Sequence, residues 1–282
     1  MRLVSWNIRH GGGRRASAIY DTLIRHAADV IVLTEYRSSP GTALLSRLSA
    51  AGWSHATTSD PAPRRNGVAV LSRVPFLVRE APSLVPLERW VEVELPAYGL
   101  ALAAIYLPVR GRDVAKKDAC WREVLKAAAM RRHASFLFVG DWNTGAPIGD
   151  AEPEGTGFSC CEHFAAMPEQ GFVEAWRLLH PRERAFSWYS RRGGADLHGF
   201  RIDHAFLSEQ LRERLVSCEY SDVERSAGVS DHAPLLLELR VPAVQQGAGD
   251  SGQSLDVARN RRKDIGALPN KAVAGDGEIL LP

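Results

Sequence analysis

The sequence contains few cysteines, and they follow no metal-binding or disulfide pattern. Four cysteines occur among 282 residues, at positions 120, 160, 161 and 218, and none forms a Cys-x-x-Cys pair. Thiolate zinc sites and disulfide frameworks both depend on recurring cysteine spacings. The sequence therefore argues against both and fits a reducing compartment.

A strong charge of one sign and a long apolar run are also absent. The formal net charge is +2 at pH 7, so any basic surface for nucleic acid must be local. The first residues, MRLVSWNIRH, do not resemble a signal peptide, and no apolar run reaches the roughly 18 residues of a membrane span. We expect a soluble, cytoplasmic protein with no membrane partner.

The chain does contain enough apolar material for a large core. Hydrophobic residues make up 45% of it and charged residues 24%, as in ordinary globular proteins. Residues 1–240 are predicted to form one continuous folded domain. After Pro242 the composition shifts to Gly, Ala, Asp and Asn without aromatic residues, which predicts a disordered tail over 241–282. We interpret its short basic run at 259–263 as solvated.

Apolar periodicity predicts alternating strands and helices. The predicted helices cover 16–27, 42–50 and 114–132. The predicted strands cover 3–8, 30–33, a short segment near Trp53, 67–71, 90–95, 100–106, 136–139, 186–189, 200–207 and 233–239. Several strands follow one another without a helix, which favours antiparallel pairing. We therefore predict an α/β (α+β) fold of two packed, mostly antiparallel sheets with helices outside.

Five apolar strands run into, or start from, a polar cluster. The segments are LVSWN, VIVLTE, FLFVGDWN, FRIDHAFL and VSDHAPLLLEL, with the polar residues Asn7, Glu35, Asp141, Asn143, Asp203, Asp231 and His232. Ionisable groups beside buried strands need partners, and several carboxylates can share one place when a cation lies among them. Oxygen ligands without thiolates select a hard metal, so we expect Mg²⁺ or Mn²⁺.

Each of these residues also has an ordinary structural interpretation. A single Asp at a strand end is most often a turn or cap residue. A single histidine such as His232 most often satisfies its hydrogen bonds within the structure, and Asn7 or Glu35 taken alone fits a turn or loop. Five such features in one chain are an improbable chance set, so we favour the functional interpretation.

The motifs VSWNIR, LTE, GVAVLSR, VGDWN, RIDHAFLS and SDHAP resemble those of the endonuclease/exonuclease/phosphatase superfamily, in the same order and over nearly all of residues 1–240. A further run, VEAWRLLHP followed by FSWYSRR and GFRIDHAFLS, resembles the exodeoxyribonuclease III and apurinic/apyrimidinic endonuclease branch. The resemblance implies a deoxyribonuclease-I-like, four-layered sandwich with the active site at one rim. It also implies metal-dependent hydrolysis of phosphoester bonds.

The resemblance implies a metal site and its immediate surroundings. Glu35 would bind the ion, with Asn7 and Asp231 close to it. Tyr106, in AIYLP, matches the tyrosine that lines the active site of the family.

The resemblance also implies roles at the scissile phosphate. Asp141 would orient or deprotonate the attacking water, and Asn143 would hold a phosphate oxygen. His232, paired with Asp203, would contact the phosphate. These residue types suit the chemistry, because a carboxylate can accept a proton while donors stabilise growing negative charge.

Basic and aromatic residues near these motifs are candidates for binding DNA. We select Trp188, Arg191, Arg110 and Lys116, since an aromatic ring beside an arginine suits base stacking with phosphate binding. The sequence departs from the exodeoxyribonuclease III branch at two places, both in segments that the resemblance assigns to DNA contact. Residues 108–111 read PVRG where Pro-Asn-Gly is usual, and Glu174 stands where Asp is usual.

Two other functions are compatible with this fold. A superfamily member acting on a lipid, inositol or other non-nucleic-acid phosphoester is disfavoured by FSWYSRR and by the lack of a membrane element. A non-catalytic binding module is disfavoured because the metal-binding and water-activating residues are all present. We predict a Mg²⁺-dependent DNA phosphodiesterase, monomeric and without an obligatory protein partner. Abasic-site incision, 3′-exonuclease and 3′-phosphatase action remain open.

Overall fold

The computed structural model describes residues 1–82, 87–109, 114–192 and 195–242. These residues belong to one compact unit, and the unit contains no helix long and apolar enough to cross a membrane. The predicted disordered tail lies outside the described residues, apart from Val241 and Pro242, which are exposed.

The first sheet has six strands and contains both the first and the last strand of the unit. Its strands, numbered in chain order, are β1 (Arg2–Asn7), β2 (Val30–Tyr36), β3 (His55–Thr58), β4 (Gly67–Ser72), β13 (Leu215–Tyr220) and β14 (Leu235–Leu239). Their order across the sheet is β13-β14-β1-β2-β4-β3. Only β1 and β2 run parallel; the other neighbouring pairs are antiparallel.

The second sheet also has six strands, and a separate hairpin accompanies it. Its strands are β5 (Leu77–Arg79), β6 (Trp90–Leu95), β7 (Leu100–Tyr106), β8 (Phe136–Asp141), β9 (Phe172–Glu174) and β12 (Asp203–Ser208), and the hairpin consists of β10 (Trp188–Arg192) and β11 (Ala195–Phe200). The order is β5-β6-β7-β8-β12-β9. Here β7 and β8 form the parallel pair.

Seven α-helices complete the described unit. They are α1 (Ala16–His26), α2 (Ser38–Ala50), α3 (Val114–Arg131), α4 (Cys161–Ala166), α5 (Ala175–Leu179), α6 (Glu209–Arg212) and α7 (Val223–Ser226). Helices α1 and α2 pack on the outer face of the first sheet, through residues such as Leu23 and Leu44. Helices α3 and α4 cover the outer face of the second sheet, through residues such as Trp121 and Phe164.

A third apolar cluster lies between the two sheets and completes four layers. It joins Val32 of β2 and Val70 of β4 to Val93 of β6 and Val139 of β8. The inner strands are buried on both faces, which is why VIVLTEY and FLFVGD read as continuous apolar runs rather than alternating ones. The predicted four-layered sandwich is confirmed.

The element boundaries differ from the prediction in a few places. The weak strand near Trp53 is β3, which begins at His55, and the predicted strand at 186–189 is observed as β10. The predicted strand at 200–207 is two strands, because the chain leaves β11 at Phe200 and enters β12 at Asp203. At the break, the Arg201 side chain is buried in a pair with Asp150, and the backbone N–H of Ile202 donates to Oγ of Ser187.

Candidate active site

The predicted polar residues meet at one rim of the sandwich because of how the strands are registered. Parallel strands end at the same edge of a sheet, and Tyr106 at the end of β7 lies opposite Asp141 at the end of β8. Antiparallel β12 begins there with Asp203, which pairs with Asp141. Asn7 reaches the same place from the other sheet, since its Nδ2 donates to Oδ2 of Asp141 over 2.9 Å.

Asp141 is a buried carboxylate held by two hydrogen bonds. Besides the Asn7 amide on Oδ2, the backbone N–H of Asn143 donates to its Oδ1 over 3.0 Å. Burial, and after it the neighbouring Asp203 carboxylate, raise the pKa of Asp141 to about 7. Asp141 therefore has the proton affinity of a weak base near neutral pH.

His232 and Asp203 form a buried pair. Nδ1 of the ring lies 2.8 Å from Oδ2 of Asp203, and the His232 backbone oxygen accepts a hydrogen bond from Nε1 of Trp6. Burial alone would lower the pKa of His232, but the Asp203 carboxylate outweighs it and raises the value to about 10. The imidazolium form is therefore favoured at neutral pH, with its Nδ1 proton directed at Asp203.

Glu35 sits at a bulge in β2 with a left-handed backbone, at φ 55°. The register between β2 and β4 shifts between Thr34 and Tyr36, which turns the Glu35 side chain into the rim. Its Oε1 accepts from the Tyr106 hydroxyl over 3.2 Å, and its Oε2 accepts from the backbone N–H of His10 over 2.9 Å. Tyr106 and the His10 backbone thus hold the Glu35 carboxylate in one orientation at the rim.

The donor set fits a hard divalent cation. The carboxylates of Glu35, Asp141 and Asp231 line one cavity, and ligand atoms of Asp141 and Asp203 lie within 4.8 Å of one another. Beside Asp231, Nε of Arg9 lies 3.8 Å from its Oδ2. Buried carboxylates in excess of nearby cations, with no thiolate among them, are ligands for Mg²⁺-like rather than soft metals.

A cavity of about 330 Å³ opens directly on these residues. Its walls are largely aromatic and apolar, formed by Phe158, Trp188, Phe200 and Ile202. Trp188 packs against Phe200, with ring centroids 5.7 Å apart. The structure thus brings Trp188 to the rim, as the sequence predicted, while its partners in the wall were not predicted.

Among the described residues, the cavity lining includes none of the other three predicted DNA-binding residues. Arg110 lies outside the described residues, and Arg191 is described only in its backbone, opposite Asp196 in the hairpin. Lys116 is half-buried on α3 and is not among the described residues that line the cavity. Their roles in binding DNA stay predictions.

Sequence reasoning missed the buried, positioning role of two residues. Lys117 is fully buried, and its Nζ donates to the backbone oxygen of Asn143 over 2.6 Å and to Oγ of Ser159 over 3.1 Å. Ser187 accepts from the backbone N–H of Asp203 over 3.2 Å. A lysine in a helix rich in charged residues and a serine before a strand look like surface residues in a sequence, so only their burial identifies them.

A two-sheet sandwich with carboxylates, an imidazolium and amide donors at one rim defines the class of metal-dependent phosphoester hydrolases. Comparison with known families gives the same result, since the model of the endonuclease/exonuclease/phosphatase family matches residues 4–232. The chain belongs to this family and is an enzyme that hydrolyses phosphoester bonds.

Curated relatives carry the names of DNA-repair nucleases. The chain is 34% identical over 125 residues to a DNA-(apurinic or apyrimidinic site) endonuclease of Arabidopsis thaliana, covering 40% of this chain and 34% of the relative. It is 36% identical over 81 residues to exodeoxyribonuclease III of Haemophilus influenzae, covering 27% of this chain and 30% of the relative. The matches therefore span about a third of the length of each relative.

Solved structures share the fold over most of the chain. An AP endonuclease from Archaeoglobus fulgidus superposes with a TM-score of 0.73 at 22% identity, covering 86% of this chain and 100% of the other. The 3′ phosphatase NExo from Neisseria, bound to a product DNA hairpin, gives a TM-score of 0.75 at 22% identity, covering 85% and 99%. At this identity the likeness establishes the deoxyribonuclease-I-like architecture.

Proposed function

We propose that this protein is a Mg²⁺-dependent phosphodiesterase that hydrolyses the DNA backbone, by incision at abasic sites, by 3′-exonuclease action, or both. The observation that carries the proposal is the convergence of two units at one rim. One is the Asp141 carboxylate held by Asn7, and the other is His232 oriented by Asp203. Asp141 and His232, one from each unit, line the same aromatic cavity. We likewise propose residues 1–240 as the catalytic domain.

Asp141 is suited to accept the proton of the attacking water. It is buried and oriented by two hydrogen bonds, and a positioned general base contributes roughly 10²–10⁴ in rate. The hydrogen bonds from Asn7 and Asn143 use one lone pair on each oxygen. The remaining lone pairs can face the water, in an orientation that these bonds fix.

His232 and Asn143 supply the donors for negative charge on the phosphoryl oxygens. Asp203 holds Nδ1 of His232, which leaves Nε2 of the imidazolium for a phosphate oxygen. The Asn143 amide nitrogen donates one proton to the backbone oxygen of Leu107 over 2.9 Å, so its second N–H is oriented as well. Each such donor typically contributes about 10²–10³ in rate.

Glu35, Asp231 and Asn7 are the residues that would hold the cation. Bound Mg²⁺ supplies positive charge to the phosphoryl oxygens and to the attacking water. The Tyr106 hydroxyl and the His10 backbone N–H each donate to one oxygen of Glu35. These two bonds restrict the Glu35 carboxylate to one orientation before a metal binds.

DNA as the substrate is supported by the wall of the cavity and by the names of the relatives. Aromatic rings such as Trp188 and Phe158 stack on bases or pack against the apolar face of a sugar. Removal of a 3′-phosphate needs the same groups, and the name of one structural neighbour includes this activity. The monomeric state and cytoplasmic location stay predictions from the sequence.

The test is to incubate the protein with labelled DNA of defined structure. The substrates are a duplex with one abasic analogue, an intact duplex, a single strand, a 3′-phosphorylated duplex and RNA. We expect cleavage of DNA that stops with EDTA and returns with Mg²⁺ or Mn²⁺. Activity that survives complete chelation, or that is confined to non-nucleic-acid phosphoesters, would contradict the proposal.

A matched variant tests the metal site separately. Glu35→Gln removes a charge at nearly constant volume, so we expect weakened Mg²⁺ binding in calorimetry and unchanged melting in the absence of metal. Wild-type metal affinity in this variant would show that Glu35 is not a ligand.

A further inference from the structure

A second group of potential metal ligands lies between α3 and the start of α4. Sγ of Cys160 and one oxygen each of Asp118 and Glu162 lie within 4.8 Å of one another. We call these three residues the thiol cluster. They are not among the residues that line the aromatic cavity. Because the cluster includes sulfur, its chemistry differs from that of the oxygen ligands at the rim.

The Cys160 thiol is buried without a hydrogen-bond partner. Cys160 is 7% exposed and forms no disulfide, and its sulfur has no hydrogen bond within the described part of the chain. A buried cysteine is usually an inert apolar residue. Cys160 departs from that pattern because two carboxylates converge on its sulfur. Carboxylates gathered at one place need a cation among them.

The cations near the thiol cluster neutralise its carboxylates only in part. Oδ2 of Asp118 pairs with Nη2 of Arg122 over 2.9 Å, but the Arg122 side chain is 72% exposed, so the pair is weak. Each oxygen of Asp118 also keeps a second lone pair for another partner. Glu162 is exposed and has no hydrogen bond or ion pair among the described residues. The cluster therefore carries negative charge that a cation can neutralise.

His163 is placed to orient one of the ligands. Its Nε2 lies 2.7 Å from Oδ1 of Asp118, and its ring packs beside Trp121, with ring centroids 6.3 Å apart. The carboxylate of Asp118 is thus held toward the cluster by a partner that is itself fixed in position. Metal-binding side chains commonly have such a hydrogen-bonded outer partner, which sets their orientation.

We propose that Asp118, Cys160 and Glu162 bind one Zn²⁺ ion, with water as the fourth ligand. A thiolate selects Zn²⁺ over Mg²⁺, and Zn²⁺ takes four ligands at about 2.3 Å from sulfur and about 2.0–2.2 Å from oxygen. Ligand atoms already within 4.8 Å of one another reach that geometry through small side-chain movements. Binding releases the thiol proton to solvent, because the thiolate is the ligand.

A single thiolate explains why cysteine spacing does not predict this site. Zinc sites recognised from a sequence contain recurring cysteine and histidine spacings. Here Asp118 comes from α3, and Cys160 and Glu162 come from the start of α4, 42 and 44 positions further along the chain. The tertiary fold brings the three together, so the sequence argument against a zinc site holds only for sites built from repeated cysteines.

A bound ion would fix part of the wall of the aromatic cavity. Phe158 and Ser159, which directly precede Cys160, line that cavity. The backbone oxygen of Ser159 accepts from Oγ1 of Thr144 over 3.1 Å, and its Oγ accepts from Nζ of Lys117 over 3.1 Å. Zn²⁺ at the thiol cluster would add a further link between this segment and α3. The role is structural and does not depend on which phosphoester the enzyme cleaves.

The test uses the full chain, freed of metal with a chelator and kept reduced, and Co²⁺ as a spectroscopic probe. Co²⁺ bound to a thiolate gives a charge-transfer band in the near ultraviolet, and oxygen ligands at the rim give none. We expect one such band per chain, which Zn²⁺ removes by displacing Co²⁺. Cys160→Ser should abolish the band and bind one Zn²⁺ fewer per chain in equilibrium dialysis. Cys161→Ser, the matched control, should retain both.

Glu162→Gln tests a ligand whose replacement does not disturb the core, since Glu162 is exposed. It should keep the Co²⁺ band and raise the Kd for Zn²⁺, measured by competition, at least tenfold, because loss of an outer partner alone costs about 10–100-fold. Glu169→Gln is its control. Glu169 is an exposed residue that follows α4 and lies outside the thiol cluster, so its Kd should equal that of wild type.

Three outcomes would overturn the inference. They are no charge-transfer band in wild type, a band that survives in Cys160→Ser, and an equal loss of the band in Cys161→Ser, which would assign it to unspecific thiol binding. If Cys160→Ser does not fold, Glu162→Gln decides, and a wild-type Kd for Zn²⁺ in that variant rejects the site. None of these measurements uses DNA cleavage, so the proposed function can fail or stand without changing their result.

Discussion

Asp203 holds His232 through a bond of 2.8 Å between Oδ2 and Nδ1, and both side chains are buried. If His232 stabilises charge on the transferring phosphoryl group, His232→Ala should lower kcat by about 10²–10³ and change KM little. Asp203→Asn should do similar but smaller damage, because the amide keeps the shape and removes the charge that favours imidazolium.

The pairing itself is checked by a double-mutant cycle on single-turnover rates. Two residues that act as one unit give losses that do not add, so the double variant should be little slower than His232→Ala. Losses that add fully would mean that the two residues act independently, and the pairing would have to be abandoned.

For individual residues, the sequence predicted the reacting groups better than it predicted the residues that hold them in position. Asp141, Asp203 and His232 were recognisable because polar residues directly beside apolar strands are unusual. The buried cation of Lys117 was not recognisable, since α3 carries charged residues on all sides in the sequence. Its partners, the backbone of Asn143 and Ser159, are brought to it by the tertiary fold alone.

Among the elements, the parallel pairing of β7 with β8 brings Asp141 to the rim of the sandwich. Gly140, the residue before it, lets the backbone of β8 lie close to the backbone of Ile105 in β7. Gly140 has φ 145°, and a Cβ built there would lie 2.0 Å from the backbone oxygen of Ile105. Gly140→Ala must therefore push the strands apart, and we expect a loss of about 2–3 kcal/mol in the free energy of unfolding. Urea denaturation measures it.

Gly157→Ala is the matched control for this prediction. A Cβ at Gly157 would meet no atom within 4 Å, so its stability should stay within about 0.5 kcal/mol of wild type. Equal stability of both variants would show that the strand contact at Gly140 is not tight in solution.

A buried ionic network joins β9, α5 and the start of β12, and it should make stability depend on pH. Oε2 of Glu174 lies 2.8 Å from Nη1 of Arg201, whose Nη2 lies 2.6 Å from Oδ1 of Asp150. Burial acts to raise the pKa of Glu174, but Arg201 and then His204 outweigh it and lower the value from 4.5 to about 2. The ionised form is therefore the one that the fold stabilises.

Because the folded pKa is depressed, this stabilisation is present above pH 4.5 and is lost as the pH falls toward 2. The shift corresponds to about 3 kcal/mol at neutral pH. Glu174→Gln should lower the free energy of unfolding by about that amount at pH 7, and the difference from wild type should shrink on acidification between about pH 4.5 and 2. A difference that is independent of pH would assign the loss to packing.

Elements were predictable where burial left a pattern in the sequence. Strands β2 and β8 are buried on both faces and read as apolar runs. Strand β9 has three residues, and β5 has three exposed ones, so neither carries a pattern of its own. Strand β13, LVSCEY, is only partly buried. It is a strand because it pairs with β14, and its own sequence carries no clear strand pattern.

For the whole molecule, composition predicts that nothing after about Pro242 packs on the domain. A chain truncated after Pro242 should then keep the melting temperature and the rate on short duplexes of the full chain, since the predicted strands and site residues all precede it. Differential scanning calorimetry and a cleavage assay measure the two quantities. A drop of several degrees in melting temperature would show that the tail docks.

The placement of β14 between β13 and β1 has a consequence for synthesis. Asn7 and His232 meet at one rim although they are 225 positions apart in the chain, and β14, the last of the described strands, pairs with β1. At a ribosomal rate of about 5–20 residues per second, the N-terminal strand waits roughly 10–45 s for its partner. The nascent chain therefore lacks a complete active site until β14 has been synthesised and closes the first sheet.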